Sequence, residues 1–134
     1  MNTSLFEKYK AELQEELKID ELTLKEVQLN LPTNRHKWVA RLMEQKFELS
    51  KLKKLRKEAI DKVIEKITEH EPVTLSDIVL RKKASQHEVI KKIDEEIELC
   101  ELLIDYLEKV VEKVCKGISY DIRNLVDIIH LETT

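Results

Sequence analysis

The feature that most constrains this chain is a run of apolar residues at alternating spacings of three and four. The run consists of Ile90, Ile93, Ile97, Cys100, Ile104, Leu107, Val111, Val114 and Ile118. Four heptads of this kind predict a helix whose seam packs against other helices, within one chain or between chains. Ser85 and Glu88 have the spacing of a capping box and predict where this helix begins.

The fold class follows from this pattern together with the scarcity of turn residues. A single glycine and two prolines in 134 residues leave little material for β-turns. We therefore predict an all-α fold, an elongated helical protomer that self-associates through its C-terminal helices. The length favours one domain, residues 1–134, with N-terminal helices and a basic block in 1–84 and the oligomerising helices in 85–134.

The C-terminal part of the chain carries the predicted oligomerisation residues. Gly117 predicts a C-cap or a bend, and a final amphipathic helix follows it. Apolar surface that one chain cannot cover argues for self-association. The residues predicted to mediate it are Ile97, Ile104, Leu107, Val111, Val114, Ile118, Ile122, Leu125 and Ile129.

The N-terminal part is predicted to contain two short helical pieces and one long helix. Capping-box spacing at Ser4 and at Thr23 marks the two short pieces, and Pro32 should keep the second one brief. The long helix is predicted over about residues 35–68, ending before Pro72. Residues 74–84 fit either a helical turn or an extended segment.

Recognised catalytic and metal sites are missing from the sequence. One glycine excludes the Walker A loop and the dinucleotide fingerprint, each of which needs several. The four histidines are scattered and none matches the zinc-protease spacing. Cys100 and Cys115 lie about four turns apart on one predicted helix, too far for a disulfide, and are predicted to be reduced core thiols. We predict no enzyme activity, no cofactor, no metal and no membrane partner, and a cytoplasmic protein.

Positive charge is concentrated although the formal net charge is −3. The basic block consists of Lys51, Lys53, Lys54, Arg56 and Lys57. A second cluster, Arg81, Lys82, Lys83, Lys91 and Lys92, flanks the start of the heptad helix. Because phosphate contacts need lysine and arginine but no particular fold, we predict that the basic block together with Arg81, Lys82 and Lys83 contacts nucleic acid.

A solvated helix face is the alternative interpretation of the basic block. Three of its cations have a carboxylate at helical spacing, in the pairs Lys51 with Glu48, Lys54 with Glu58 and Lys57 with Asp61. Lys53 and Arg56 have none, and Arg56 falls in the apolar stripe, where we expect it to face a partner or a groove. Trp38 and Phe47 fit base stacking, but core positions are the more common use of such residues.

Acidic residues form a stripe beside the apolar seam of the heptad helix. The stripe consists of Asp94, Glu98, Glu101, Asp105, Glu108 and Glu112. A stripe of this kind is either a solvated face or a docking surface for a basic partner or a neighbouring subunit.

Several short motifs follow one another along the chain. They are "LQEEL" followed by Ile19 and Asp20, "KW" at 37–38, a basic helix, "KKID" at 91–94, "LLIDY" at 102–106 and "KGISYDIRNLVDI" at 116–128. Taken in order, these motifs resemble the UvsY family of phage recombination mediators over most of the chain. In that family the basic patch sits late in the helix after the Trp. Here those positions read "IDKVI" at 60–64, so the positive charge lies earlier, in the basic block.

The resemblance implies a non-enzymatic phage protein of the bacterial host cytoplasm. It implies binding to single-stranded DNA, a ring-like homo-oligomer of six or seven subunits, and help for the phage recombinase in replacing the single-strand binding protein. No element looks built to read base edges, so we predict binding without strong sequence preference. The alternative is a helical homo-oligomeric adaptor with no nucleic-acid role, whose basic helix pairs with a neighbour's acidic stripe.

Overall fold

The structure is a computed structural model that describes residues 3–70 and 74–133. Its elements are α1 (Ser4–Glu16), α2 (Leu24–His70), α3 (Asp77–Ser85), α4 (Glu88–Lys109), a π-helical segment (Val110–Val114) and α5 (Cys115–Thr133). No strand occurs in the described ranges, and the predicted all-α fold is confirmed. Pro72, the predicted end of the long helix, lies outside them.

The chain folds as two compact units. Residues 45–102 form the middle unit, and residues 3–44 together with 103–133 form the terminal unit. The single domain expected over residues 1–134 stays a prediction.

The core of the terminal unit is built around Trp38, which is fully buried. The buried residues of this core are Tyr9, Leu13, Trp38, Leu103, Leu107, Val110 and Cys115. The Tyr9 and Trp38 rings meet edge to face with their centroids 5.8 Å apart, and Phe6 meets Tyr106 in the same way at 5.0 Å. Such pairs add to the free energy gained by burying the rings. Helix α1 is therefore fixed by aromatic packing on α2 and on the end of α4.

The core of the middle unit is smaller and aliphatic. Ile60 and Val63 of α2, Ala84 of α3 and Ile90 of α4 form it. Helix α3 begins at a side-chain cap, because the Ser76 hydroxyl accepts a hydrogen bond from the amide of the third helical residue. Residues 74–84, for which the sequence allowed a helical turn or an extended segment, are thus helical from Asp77 onward.

The predicted capping boxes at the two N-terminal helices are not formed. The N-cap of α1 is Thr3, so Ser4 already lies inside the helix. Thr3 itself makes no side-chain cap bond. At the start of α2 the Thr23 hydroxyl donates to the Asp20 carboxylate at 3.1 Å. The hydroxyl is therefore engaged in the preceding turn, and only the Thr23 carbonyl takes part in the helix, by accepting from the Val27 amide.

The capping box predicted at Ser85 is also wrong. Ser85 is the last residue of α3, and its hydroxyl donates to the Lys82 carbonyl at 2.7 Å. Helix α4 begins at Glu88, after a connection of two residues. There the Val89 amide donates to the His87 imidazole at 3.2 Å, so a histidine ring takes the place of the expected serine cap.

Helix α2 runs through Pro32, contrary to the predicted break. A proline inside a helix removes one donor, so the carbonyl of Gln28, four residues earlier, loses its helical partner. Both Pro32 and Gln28 are exposed. Water can therefore reach that carbonyl, and the interruption is tolerated at the solvent-facing side of the helix.

The π-helical segment interrupts the predicted heptad seam. Val110 and Cys115, five residues apart, are both buried, whereas the heptad positions Val111 and Val114 are only partly buried. A π turn contains one extra residue, which shifts the buried face before the pattern resumes at Ile118.

Gly117 does not end a helix. It lies inside α5, and no glycine in the described residues has a positive φ. A Cβ at Gly117 would meet nothing within 4 Å, so no close approach requires glycine here. The predicted C-cap is wrong, and the irregularity in this region is the π turn that precedes it.

Candidate nucleic-acid interface

The four lysines of the basic block lie exposed on α2 in the middle unit. Lys51, Lys53, Lys54 and Lys57 make no ion pair with any residue that the structure describes. The three pairings with Glu48, Glu58 and Asp61 that the helical spacing allows are therefore absent. No carboxylate of the described chain therefore neutralises these lysines.

Several of these lysines share one face of the helix. An open groove of about 470 Å³ is lined by Lys46, Leu49, Ser50, Lys53, Lys54 and Lys57. At 3.6 residues per turn, Lys53 and Lys57 lie one turn apart, with about 6 Å of rise between them. The face therefore presents cations at regular intervals to a ligand running along the helix.

Arg56, the fifth residue of the block, is held by a carboxylate of the same unit. Its Nε lies 2.5 Å from Oδ1 of Asp94 on α4. Arg56 was expected to face a partner or a groove, and within the described chain it pairs with this acid of α4. Helical spacing could not reveal this pair, because Asp94 is 38 residues away. In the sequence, this pair was indicated only by the position of Arg56 in the apolar stripe of its helix and by the position of Asp94 beside the heptad seam.

Three residues of the second predicted cluster, Arg81, Lys82 and Lys83, lie on α3, and Lys91 and Lys92 lie on α4. Arg81 pairs with Asp77 one turn earlier at 3.1 Å, and both side chains are largely exposed. Lys82 and Lys83 are exposed as well. Helix α3 packs on α2 through Ala84 and Ile60, just beyond the basic block.

The two aromatic residues considered for base stacking have opposite environments. Trp38 is fully buried in the terminal unit, as expected for a core residue. Phe47 is 63% exposed, on α2 in the middle unit. It lies one turn before Lys51 and two turns before Lys54. An uncovered ring therefore lies beside the lysines, which the core interpretation of Phe47 did not anticipate.

Two cations of α2 in the terminal unit have a different role. Arg41 Nη1 lies 2.5 Å from Glu12 Oε2, and Lys37 pairs with both Glu12 and Glu16. Trp38 Nε1 donates to Glu16 at 2.7 Å. The hydrogen bond from Arg41, with the charges of Arg41 and Lys37, holds the pKa of Glu12 below its ordinary value although burial acts against it. These cations join α1 to α2 and leave little charge for a ligand.

The terminal unit also contains cations that the sequence analysis missed. Arg35, Lys116 and Arg123 line one groove of about 510 Å³ together with Tyr120. Arg35 is more than 80 residues from Lys116 and Arg123 in the sequence, so no basic run contained all three. Only the packing of α5 beside α2 brings them together.

The predicted oligomerisation residues fall into two groups. Ile104, Leu107, Ile118 and Ile122 are buried within the chain itself. Ile97, Val111, Val114, Leu125 and Ile129 are partly exposed. Helix α5 further exposes Val126, Ile128 and Leu131, which the prediction did not include.

The cysteines are buried free thiols, as predicted. Burial raises the pKa of both, and at Cys100 the nearby Glu48 and Glu101 raise it further. Cys100 Sγ lies 3.3 Å from the Gln45 carbonyl. Both thiols are therefore protonated at neutral pH and unsuited to nucleophilic chemistry.

Neither a metal cluster nor a membrane span is found in the described part of the chain. Residues 3–70 and 74–133 contain no group of three or more His, Cys, Asp or Glu side chains placed to hold a metal ion. None of the described helices is long and apolar enough to cross a membrane.

Comparison with solved structures finds two crystal structures of the recombination mediator protein UvsY of bacteriophage T4. One, in lattice type IV, is 17% identical with a TM-score of 0.77 and covers 94% of this chain and 97% of that chain. The other, in lattice type II, is 16% identical with a TM-score of 0.75 and covers 96% and 97%. No protein-family profile and no curated protein matches. The resemblance inferred from the sequence is thus confirmed for the fold.

Proposed function

We propose that this chain is a recombination mediator that binds single-stranded DNA without strong sequence preference. It helps a phage recombinase assemble on DNA covered by single-strand binding protein. The observation that carries the proposal is the exposed face of α2, where Lys53, Lys54 and Lys57 have no partner among the described residues. The likeness of the fold to UvsY supports it over most of the chain.

The chemistry of this face suits a single strand. Each phosphate that a lysine neutralises releases counterions, which supplies binding free energy independent of sequence. Phe47 offers an exposed ring on which a base can stack, and every base has such a face. Arg56 contributes less than the lysines, because Asp94 already engages its Nε. Arg81, Lys82 and Lys83 extend the cationic surface on α3.

Assembly is the second part of the proposal. The partly exposed Ile97, Val111, Val114, Leu125 and Ile129 contact a second copy of the chain in a homo-oligomer. In a ring of six or seven subunits, the basic faces of several subunits bind one DNA strand together. Once one face has bound the strand, the strand is at a high effective concentration for the other faces. The recombinase and the single-strand binding protein are the protein partners, in the cytoplasm of the bacterial host.

Titration of a fluorescent oligo-dT with the full chain at about 50 and 200 mM salt tests DNA binding. The test variant is Lys53→Gln/Lys57→Gln. Its matched control is Lys62→Gln/Lys66→Gln, which removes the same charge at the same spacing from exposed positions of α2 outside the block. We expect the test variant to bind about tenfold more weakly, with a salt slope shallower by about 1.4, and the control to bind as the parent does.

Two outcomes contradict the DNA-binding part. If the oligomer is intact but does not bind oligo-dT at physiological salt, the result favours the alternative function, a helical adaptor with no nucleic-acid role. Equal losses in the test and control variants mean that general charge, and not the basic face, drives binding. Light scattering on every variant shows whether the assembly is preserved.

The mediator activity needs its own measurement. Recombinase encoded in the same genome is added to labelled single-stranded DNA already covered by single-strand binding protein, and filament assembly is followed with and without the chain. We expect faster assembly with the chain, and less acceleration with Lys53→Gln/Lys57→Gln. A chain that binds DNA but leaves assembly unchanged is a DNA-binding protein without mediator activity.

A further inference from the structure

A second cationic groove lies in the terminal unit, between α2 and α5. Arg35 and Val39 come from α2, Val111 from the π-helical segment, and Lys116, Ser119, Tyr120 and Arg123 from α5. No carboxylate is among the residues that line this groove. Its volume of about 510 Å³ lies in the range of small-ligand sites.

The three cations of this groove have no ion-pair partner in the described chain. Glu112 and Asp127 lie one helical turn from Lys116 and Arg123, at spacings that favour pairing, yet neither forms an ion pair with them. Arg35 donates a hydrogen bond to the Ser119 hydroxyl at 3.3 Å, which orients the guanidinium without neutralising it. The groove therefore concentrates three positive charges.

An exposed aromatic ring stands beside these cations. Tyr120 is 66% exposed, and the guanidinium of Arg123 lies over its ring at 5.9 Å from the centroid. Val39 and Val111 give the groove apolar surface in addition to charge. An acidic peptide requires only the cations, whereas a nucleotide uses cations for its phosphate and an aromatic or apolar surface for its base.

We infer that the groove formed by Arg35, Lys116, Tyr120 and Arg123 is a second binding site for single-stranded nucleic acid. The cations contact phosphate oxygens, and Tyr120 stacks on a base. This inference rests on the proposed function, since it gives the strand a second contact on the same subunit. It differs from that function in placing the contact on α5 and on the part of α2 that belongs to the terminal unit, whereas the basic block belongs to the middle unit.

Photochemical cross-linking tests the stacking contact. An oligo-dT carrying 5-iododeoxyuridine is irradiated with the full chain, and the cross-linked residue is identified by mass spectrometry. We expect a cross-link on Tyr120 in addition to any on Phe47. Tyr120→Phe should keep the affinity for the strand, and Tyr120→Leu should lower it at least about fivefold.

The phosphate contacts are tested with the variant Arg35→Gln/Arg123→Gln against the charge-matched control Lys62→Gln/Lys66→Gln. We expect the test variant to lose roughly tenfold in affinity for oligo-dT and about 1.4 from the salt slope. Circular dichroism establishes that it is folded. If it misfolds, the single variants Lys116→Gln and Tyr120→Leu replace it.

Three results overturn the inference, and each is distinct. Unchanged affinity and no cross-link on Tyr120, in a chain whose binding still depends on Lys53 and Lys57, remove the second site and leave the proposed function intact. A change in oligomeric mass with unchanged binding per subunit assigns the groove to a second copy of the chain. Failure of the unmodified chain to bind any oligo-dT removes both the proposed function and the second site.

Discussion

Two stretches of helix α2 carry similar positive charge and use it in opposite ways. Lys37 and Arg41, in the terminal unit, are bound by Glu12 and Glu16 of α1, and the Arg41 guanidinium lies over the Tyr9 ring at 4.5 Å. The lysines at 51–57, in the middle unit, have no ion-pair partner within the described residues. The first stretch joins two helices, and the second presents its charge to solvent.

This comparison shows that the role of a cation depends on which helix packs against it, and not on the helix that carries it. Arg56 shows this within the basic block: it lies among lysines in sequence, but α4 brings Asp94 to it. Its side chain is 34% exposed, so the pair is only partly shielded from water. Charge that a fold leaves without a partner, next to an exposed ring, is the charge available to a polyanion.

The largest expected effect separates the two aromatic residues of α2. Trp38→Ala should lower the free energy of unfolding by about 3–5 kcal/mol, because it empties a fully buried site. It also leaves the Glu16 carboxylate without its indole donor. Phe47→Ala, the matched control on the exposed face, should change stability by less than about 0.5 kcal/mol. Urea unfolding followed by circular dichroism measures both.

Similar losses of unfolding free energy in Trp38→Ala and Phe47→Ala would contradict the comparison, since they would mean that another protein chain covers Phe47. Titration with oligo-dT then measures what Phe47 contributes to DNA binding. Phe47→Ala should weaken binding by about 1 kcal/mol or more if a base stacks on the ring.

The next effect concerns the ion pairs that join α1 to α2. Since the pKa of Glu12 is lowered in the folded chain, its stabilisation is present above the ordinary value of 4.5 and is lost as the pH falls through the lowered value. Glu12→Gln should therefore cost about 1–2 kcal/mol at neutral pH and almost nothing in acid well below 4.5. Urea unfolding across that pH range measures the difference.

Glu15→Gln is the matched control for this prediction. Glu15 pairs with Lys18 at 2.8 Å, but both side chains are more than 70% exposed. Exposed pairs of this kind contribute little, so the control should lose less than about 0.5 kcal/mol at any pH. A pH-independent loss in Glu12→Gln would show that packing, and not charge, accounts for its effect.

The sequence predicted the fold class because helical periodicity and the lack of turn residues are local properties of the chain. It failed where tertiary packing overrides local preference. The break expected at Pro32 does not occur, and both Pro32 and Gln28 are exposed there. The seam expected through Val111 and Val114 is shifted by a π turn that no sequence pattern indicates. Ser85 is the last residue of α3, and the two-residue connection places His87 directly before α4.

The candidate site was predictable only where its residues are neighbours in sequence. The basic block is a local run, and its lysines are exposed as expected. The pair of Arg56 with Asp94, and the groove that unites Arg35 with Lys116 and Arg123, join residues from separate helices. Periodicity gives the face of each helix but not which faces meet, so these two features required the structure.

The smallest expected effect is on the stability of the basic face. Lys53→Gln/Lys57→Gln should leave the free energy of unfolding unchanged or raise it by a few tenths of a kcal/mol, because like charges one turn apart repel and glutamine favours helix about as well as lysine. Lys37→Gln, which loses contacts to Glu12 and Glu16, should lower it instead. Urea unfolding at low salt, where repulsion is least screened, compares the two variants. A loss of more than about 1 kcal/mol of unfolding free energy in Lys53→Gln/Lys57→Gln would mean that these lysines stabilise the fold, as Lys37 does. Their charge would then not be available to DNA.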